Sequence, residues 1–269
     1  MTARSSGSRA VAIAVASTLV LLAAIVVVVT QSPGWHEFKA YFLDWAKYRD
    51  SFPEIGRAFV LNVKIFTISE AIILVSALGL AVIRSLPGPV FFPLRLLAIV
   101  YTDFFRGVPT ILVILMLGTG MPALQVGWIP KSQVFWAIVS LVLVYTAYVS
   151  EVYRAGIESV HPSQEAAARS LGLGRGAALR YVILPQAVRR VVPPLLNDFI
   201  GLQKDTALVS VLGVVEALQQ SQIDEAAAFN GTYYLVAATF FVALTIPLAR
   251  LTDWLINRDR VRRQAGRLA

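Results

Sequence analysis

The sequence predicts an all-α, polytopic membrane protein with about six transmembrane helices and a polar loop between two of them. Hydrophobic residues make up 57% of the 269 residues and charged residues only 15%, whereas ordinary soluble domains carry about 25% charged residues. Several apolar runs approach or exceed the roughly 20 residues that a helix needs to cross about 30 Å of hydrocarbon. Composition and run length therefore agree on a bundle of membrane-spanning helices.

The predicted spans lie at residues 10–30, 59–84, 94–117, 133–151, 192–215 and 233–256. The first follows a basic leader, MTARSSGSR, and is compatible with a secretory signal peptide, but its apolar run of about 20 residues is longer than a typical signal core. We interpret it as a retained anchor. Three domains follow from this division: an anchor helix and external segment (1–58), a transmembrane domain with a loop at 152–190 (59–258), and a basic tail (259–269).

The distribution of Lys and Arg predicts the orientation, because cytoplasmic flanks are enriched in positive residues. If the N-terminus is cytoplasmic, the inner segments hold fifteen positive residues and the outer segments hold five. We therefore expect a multi-pass protein of the plasma membrane with both termini and the 152–190 loop in the cytoplasm. This topology also accounts for the formal net charge of +8 without nucleic acid as a partner.

The chain offers few groups for chemistry. It has no cysteine and only two histidines, His36 and His161, which excludes disulfides, thiolate metal sites and thiol nucleophiles. No cluster of acids with His or Ser has catalytic spacing. We expect no metal, no cofactor and no enzymatic activity on this chain, and a structural scaffold would not explain the charges inside its spans.

The polar stretch HPSQEAAARSLGLGRGAALRYVILPQ, residues 161–186, predicts a short helix between two spans. Ser163 is a candidate N-cap, and Glu165 lies in the first turn, where an acid suits the helix dipole. Three alanines follow, and Gly172 and Gly174 are expected to end the helix. A second helix is expected from Arg175 to Ile183, before Pro185. Such a helix is either a docking element for a partner groove or an amphipathic connector on the inner leaflet.

The same stretch resembles the signature loop of the membrane subunits of ATP-binding cassette importers, written E-A-A, three residues, G, nine residues, I-x-L-P. Gly172, nine residues and then Val182 to Pro185 fit the second half, with Val in place of the first Ile. In the first half the acid stands one position early, at Glu165. The runs YTDFFRGVPTILV at 101–113 and LPQAVRRVVPPLLNDFIGLQKDTALVSVLGV at 184–214 resemble motifs of the polar amino acid permease family.

The resemblance, which covers about residues 55–258, implies a permease subunit that moves amino acids, polar or charged, across a bacterial plasma (inner) membrane by alternating access; an importer of another small solute is the alternative. It implies cytosolic ATPase subunits, an extracytoplasmic substrate-binding protein and a second, identical or homologous permease subunit in the lipid bilayer. The chain has no P-loop, since none of its five lysines follows a glycine. The residues expected to contact the ATPase are Glu165, Ala166, Ala167, Ala168, Arg169 and Gly172.

Charged groups within the predicted spans indicate a transport cavity, because an ionisable residue near mid-bilayer costs about 2.5–3.5 kcal/mol and usually faces the protein interior. Two polar stripes follow span five: Asn197 and Lys204 on one, Asp198, Gly201 and Asp205 on the next. They could match the two charges of a zwitterionic amino acid. Ion pairs between helices remain the alternative, and for Asp103 and Arg106 the alternative is a local salt bridge within span three. The candidate substrate residues are Glu70, Asp103, Asn197, Asp198, Lys204 and Asp205.

Two further features of the sequence concern the membrane region. Gly107 and Pro109 are expected to interrupt span three directly after Arg106, and broken spans tend to line transport cavities. The outer 31–57 segment, which contains Trp35, Tyr41, Trp45 and Tyr48, is expected to form an aromatic belt at the membrane interface.

Overall fold

The computed structural model describes the backbone of residues 3–268, with side chains for residues 10–174 and 176–258. Helices account for all the regular structure in this part of the chain. In order they are α1 (Ala3–Thr30), α2 (Trp35–Phe42), α3 (Trp45–Ser85), α4 (Phe92–Gly107), α5 (Thr110–Ala123), α6 (Gln133–Glu158), α7 (Pro162–Ser170), α8 (Arg175–Ala178), α9 (Leu184–Asp205), α10 (Ala217–Ala228) and α11 (Thr232–Leu268).

The all-α membrane fold is confirmed. Four helices in the described part are long and apolar enough to cross a membrane, and a fifth candidate is the bent pair of α4 and α5. These five correspond to five of the six predicted spans. The predicted span at 192–215 is present as α9 followed by a 3₁₀ helix, Thr206–Leu212, but α9 carries five charged side chains and does not qualify by composition.

The core is centred on α3 and α6. Ile65 and Ile73 of α3, Leu141 and Val144 of α6 and Leu202 of α9 are fully buried in one cluster that also takes in α5 and the 3₁₀ helix. A second, smaller cluster joins the outer part of α3 to α10 and α11. These two clusters hold the helices that surround the candidate site.

The first helix takes no part in either cluster. All residues from Ala10 to Thr30 are exposed within this single chain. An apolar helix of this length without a protein partner fits a lipid environment. The anchor role remains a prediction. At the other end, the predicted basic tail lies on the last turns of α11, and the side chains of residues 259–269 are outside the described set.

Span three is broken where the sequence predicts. Pro109 has no backbone N–H, and it restricts Val108 to an extended conformation (φ −94°, ψ 130°), so the helix cannot continue. The two halves, Pro89–Gly107 and Thr110–Ala123, meet at an angle of 103°. The break leaves the end of α4, including Arg106, facing α6.

The outer segment is more helical than predicted. Helix α3 begins at Trp45 and has 41 residues, which gives a length of roughly 60 Å, about twice the hydrocarbon thickness. The predicted domain boundary at 58/59 therefore falls within one uninterrupted helix. Tyr41 donates a hydrogen bond to Glu225 of α10 (2.7 Å), and Tyr48 donates to Thr239 of α11 (2.9 Å), whereas Trp45 is exposed. Part of the predicted aromatic belt thus packs against the bundle.

Candidate functional site

A cavity of about 430 Å³ lies between α6 and α9, beside the break that follows α4. The two helices approach closely because Gly156 of α6 leaves room for Val191 and the Ala187 carbonyl of α9. Charged groups from three helices reach the cavity. Its lining consists of Arg106, Tyr148, Glu151, Val152, Ala155, Gly156, Ser159, Arg190, Pro194 and Asp198.

Asp198 is the one predicted substrate residue that lines the cavity. Its carboxylate is half-buried, and its Oδ2 atom has no hydrogen-bond partner among the described residues. Glu70 of α3 lies within electrostatic range of Asp198, although it does not line the cavity. Neither of these two carboxylates belongs to a salt bridge in the described part of the chain.

Asp205 is held by a tyrosine that the sequence did not single out. Tyr145 of α6 donates a hydrogen bond to Asp205 Oδ2 (2.9 Å). The contact depends on Gly201, because a Cβ atom at that position would lie 3.2 Å from the Tyr145 hydroxyl. Gly201 thus allows a neighbouring side chain to approach the backbone of α9 closely.

Arg106 faces the cavity from the end of α4. Its guanidinium lies 5.8 Å from the centre of the Tyr148 ring, a distance compatible with a cation–π contact. The alternative, a local salt bridge with Asp103, does not occur among the described ion pairs, and Asp103 is exposed. Arg106 therefore presents a positive charge to the same cavity as Asp198.

The other predicted substrate residues are not brought together. Asn197 and Lys204 are exposed in this single chain and lie outside the cavity lining. As candidates for the site, Asp103, Asn197 and Lys204 remain predictions without support from the cavity geometry.

A second buried carboxylate, Glu216, was also not anticipated. It is fully buried and accepts hydrogen bonds from Asn62 Nδ2 (2.8 Å) and from the backbone N–H groups of Leu218 (2.9 Å) and Gln219 (3.0 Å). Asn62 also accepts a bond from the Ala217 N–H (3.1 Å). Glu216 therefore caps α10 and ties it to α3. Its position three residues before Gln219 was a signal for a cap in the sequence.

The loop helix forms as predicted, with a different cap. Helix α7 runs from Pro162 to Ser170, and His161 caps it by accepting a hydrogen bond from the Ser163 N–H (3.2 Å). The expectation that Ser163 is the N-cap is therefore wrong. Pro162, which cannot donate a backbone hydrogen bond, takes the first helical position and moves the cap one residue before it.

Gly172 ends α7 with a left-handed conformation (φ 85°). The N–H of Leu173 bonds to the Ala168 carbonyl (3.2 Å), and the N–H of Gly172 bonds to the Arg169 carbonyl (3.0 Å), which is a Schellman motif. Ala168 is buried beneath the helix. Of the remaining predicted contact residues, Ala166, Ala167 and Arg169 are exposed on its outer side, and Glu165 is half-buried.

The return segment differs from the prediction of a helix ending before Pro185. After α8, residues Leu179–Ile183 form a π-helical turn that leads directly into α9. The wider turn accommodates Pro185, which has no N–H to donate. Arg190 of α9 also donates a hydrogen bond to the Ser159 carbonyl at the end of α6. This bond ties the end of α6 to α9, the two helices between which the loop runs.

No group of three or more His, Asp or Glu residues in the described part of the chain could hold a metal ion. The site consists of a cavity with opposed charges and a projecting helix joined to its two walls. Residues 87–261, which include both, match the family described as "Binding-protein-dependent transport system inner membrane component". The chain belongs to this family.

Members of the family with curated names are similar over most of their length. The arginine transport system permease protein ArtQ of Bacillus subtilis (strain 168) is 32% identical over 73% of this chain and 87% of its own. The glutamate/aspartate import permease protein GltK of Escherichia coli O6:H1 is 31% identical over 81% of this chain and 99% of its own. The first of these names refers to a cationic and the second to anionic amino acids.

A solved family member supports the fold. The structure titled "Crystal structure of an amino acid ABC transporter with histidines" includes a chain that matches with a TM-score of 0.72 and 28% identity, over 80% of this chain and 98% of that one. The family consists of transport components rather than enzymes. This chain is accordingly a multi-pass membrane protein of the permease type.

Proposed function

We propose that this chain is the permease subunit of an ATP-binding cassette importer for amino acids. The observation that carries the proposal is the joint presence, within the matched residues 87–261, of a charged cavity and a short capped helix in the loop that connects the two helices of the cavity walls. The relatives named for arginine and for glutamate and aspartate support amino acids as the substrate class. An importer of another small solute remains the alternative.

Partners follow from the same argument. The family description names a binding-protein-dependent system, which supports an extracytoplasmic binding protein that delivers the substrate. Because the chain has no P-loop, ATP is bound and hydrolysed on separate cytosolic subunits, which dock against Ala166, Ala167 and Arg169. A second permease subunit, identical or homologous, completes the pathway. Glu165, Ala168 and Gly172 shape the docking helix from its less exposed side and its end.

The cavity recognises the two ends of an amino acid. Arg106 on the α4 side binds the α-carboxylate, and Asp198 on the α9 side binds the α-ammonium group. The buried, unpaired Oδ2 of Asp198 supports this assignment, because a buried carboxylate oxygen without a donor is costly unless a ligand satisfies it. Glu70, which is outside the cavity lining, adds negative charge near Asp198, and Asp205 holds the hydroxyl of Tyr145 by accepting its hydrogen bond.

Transport proceeds by alternating access. Closure of the ATPase subunits moves α7, and the movement reaches the cavity through α6 and α9, which are joined at Ser159 and Arg190. The cavity then faces one side of the membrane at a time. The permease contributes binding and movement, and the partner subunits contribute the energy of ATP hydrolysis.

The first experiment tests function directly. We expect the chain to co-purify with an ATPase subunit, and the complex in proteoliposomes to take up an amino acid in the presence of ATP and its binding protein. A panel of L-arginine, L-histidine, L-glutamate, L-glutamine and non-amino-acid solutes discriminates the alternatives. Uptake of a non-amino-acid solute alone would contradict the substrate class, and failure to associate with an ATPase would contradict the transporter.

The second experiment tests the proposed orientation in the bacterial plasma membrane, with both termini in the cytoplasm. It rests on fifteen positive residues in the inner segments against five in the outer ones. An export-dependent reporter is expected to be active when fused at residue 222 and inactive at residues 172 and 265. The reverse pattern would refute the topology.

A further inference from the structure

A charged network lies at the end of the bundle that carries α7. Glu151 of α6 forms salt bridges with Arg84, in the last turn of α3, and with Arg154 (2.8 Å). Arg154 also pairs with Glu158, the last residue of α6. Arg84 in addition donates a hydrogen bond to the buried hydroxyl of Thr102 in α4 (3.4 Å). Arg84 and Glu151 together thus connect three helices, α3, α4 and α6.

This network differs from the surface pairs of the molecule. The side chains of Arg84 and Glu151 are only 14% and 16% exposed, whereas those of the Arg250–Asp253 pair on α11 are 80% and 59% exposed. A shielded pair is less screened by water and salt, and removal of one partner leaves the other charge buried and unpaired. The position of Glu151 relative to Arg84 is therefore held more firmly than that of an exposed pair.

Glu151 also belongs to the lining of the cavity, together with Asp198 and Arg106. Its own charge is neutralised by Arg84 and Arg154, so it does not compete with Asp198 for a cationic group. Along α6, Glu151 lies two turns before Glu158, and α7 begins at Pro162. Because α6 is continuous over these turns, a displacement of α7 reaches Glu151 and strains its bond to Arg84.

We propose that Glu151, through its shielded pair with Arg84, is a positioning residue that couples the α7 loop to the cavity. The inference rests on the proposed transport function and adds to it the element that links ATP hydrolysis to cavity opening. The pair holds the ends of α3 and α6 together, and the cavity opens toward the loop when movement of α7 separates them. Without the pair, the two ends move independently, and ATP is hydrolysed without transport.

The test measures the number of ATP molecules hydrolysed per amino acid taken up in proteoliposomes that contain the complete complex and its binding protein, with L-arginine and L-glutamate as the probes. The variants are Glu151→Gln, Arg84→Met and the double variant Arg84→Met/Glu151→Gln, and the matched control is Arg250→Met. We expect the ratio to rise at least fivefold in both single variants and to remain unchanged in the control.

The double variant separates coupling from stability. If the pair has only a structural role, its simultaneous neutral replacement removes the unpaired charge and restores both complex yield and the wild-type ratio. If Glu151 positions the helices, the yield is restored while the ratio stays raised. A normal ratio in the single variants, a normal ratio in the double variant, or loss of the complex in the double variant would each overturn the proposal.

Uptake by the wild-type complex separates a failure of this inference from a failure of the proposed function. If wild-type proteoliposomes show no ATP-dependent uptake of either probe or of any other amino acid in the panel used to test the proposed function, that function fails, and the network has no transport role to explain. If the wild type takes up a probe and all variants keep its ratio, only the role of Glu151 is refuted.

Discussion

Two buried carboxylates, Glu216 and Asp198, lie in different environments in the same helical bundle. Glu216 is fully enclosed, and three donors, from Asn62, Leu218 and Gln219, satisfy both of its oxygens. Asp198 is half-buried beside a cavity, and its Oδ2 has no donor among the described residues. The comparison indicates that a satisfied acid in this fold serves assembly, whereas an unsatisfied one is available to a ligand.

The largest effect is expected for Glu216→Ala. The substitution leaves one buried and two partly buried donors without their acceptor and removes the cap of α10, which we expect to lower the free energy of unfolding by roughly 3–5 kcal/mol. The loss of stability is measured by the yield of folded protein in detergent and by the midpoint of thermal unfolding. Glu37→Ala, at an exposed position of α2, is the control. A Glu216→Ala variant that folds well but fails in transport would show that Glu216 serves function rather than assembly.

The second prediction concerns Asp198→Asn. Since Asp198 has no donor to lose among the described side chains and backbone, we expect stability to change by less than about 0.5 kcal/mol. Uptake should fall roughly tenfold or more, because the charge-assisted bond to the substrate is lost. Asp253→Asn on α11 provides a control at an exposed acid. If complex yield declines in parallel with uptake, Asp198 has a structural partner and the assignment of the cavity is wrong.

A third prediction applies the same separation of folding from function to the loop. Gly172→Leu forces a side chain into the left-handed conformation, at a cost of about 1–2 kcal/mol. Such a cost lowers the population of the native turn conformation roughly tenfold. Membrane insertion should survive, while stimulation of ATP hydrolysis by substrate should fall severalfold.

The matched control for Gly172 is Gly174→Leu, because Gly174 has no positive φ and no atom near its Cβ position. Equal loss of stimulated hydrolysis in both variants would indicate that bulk in the loop, rather than the turn after α7, causes the effect. Normal stimulation in Gly172→Leu would exclude α7 as the docking element.

The smallest effect is expected for Gly201→Ala. The added Cβ would lie 3.2 Å from the Tyr145 hydroxyl, so the bond from Tyr145 to Asp205 must lengthen, at a cost of about 0.5–1.5 kcal/mol. Uptake should fall by less than tenfold, and Tyr145→Phe should reproduce the change. Gly79→Ala in α3, where a Cβ meets open space, is the control.

A comparison with Asp205→Asn and Lys204→Met completes this last prediction. If Asp205 acts mainly through Tyr145, Asp205→Asn lowers uptake by about as much as Tyr145→Phe does. Lys204→Met then leaves uptake unchanged, because Lys204 is exposed. If Lys204→Met abolishes uptake with normal yield, the second stripe of α9 belongs to the substrate pathway, and the cavity described above is only part of the site.

Much of the organisation could be predicted from local sequence. The break in span three follows from Gly107 and Pro109, and the loop helix follows from three alanines between Pro162 and Gly172. The errors are also local: Pro162 moved the cap from Ser163 to His161, and a π-helical turn carried the chain past Pro185. Proline changes a helix in several ways, and the surrounding chain decides among them.

The sequence by itself determined the all-α membrane class, the projecting loop and the charged helix that lines the cavity, because run length, composition and periodicity are properties of single segments. Only the tertiary structure decided which charge meets which partner. Tyr145 and Asp205 are 60 residues apart, Arg84 and Glu151 are 67 apart, and Asn62 and Glu216 are 154 apart. Periodicity assigns a side chain to a face of its own helix, but the neighbouring helix and its register determine whether that side chain is paired or left open to a ligand.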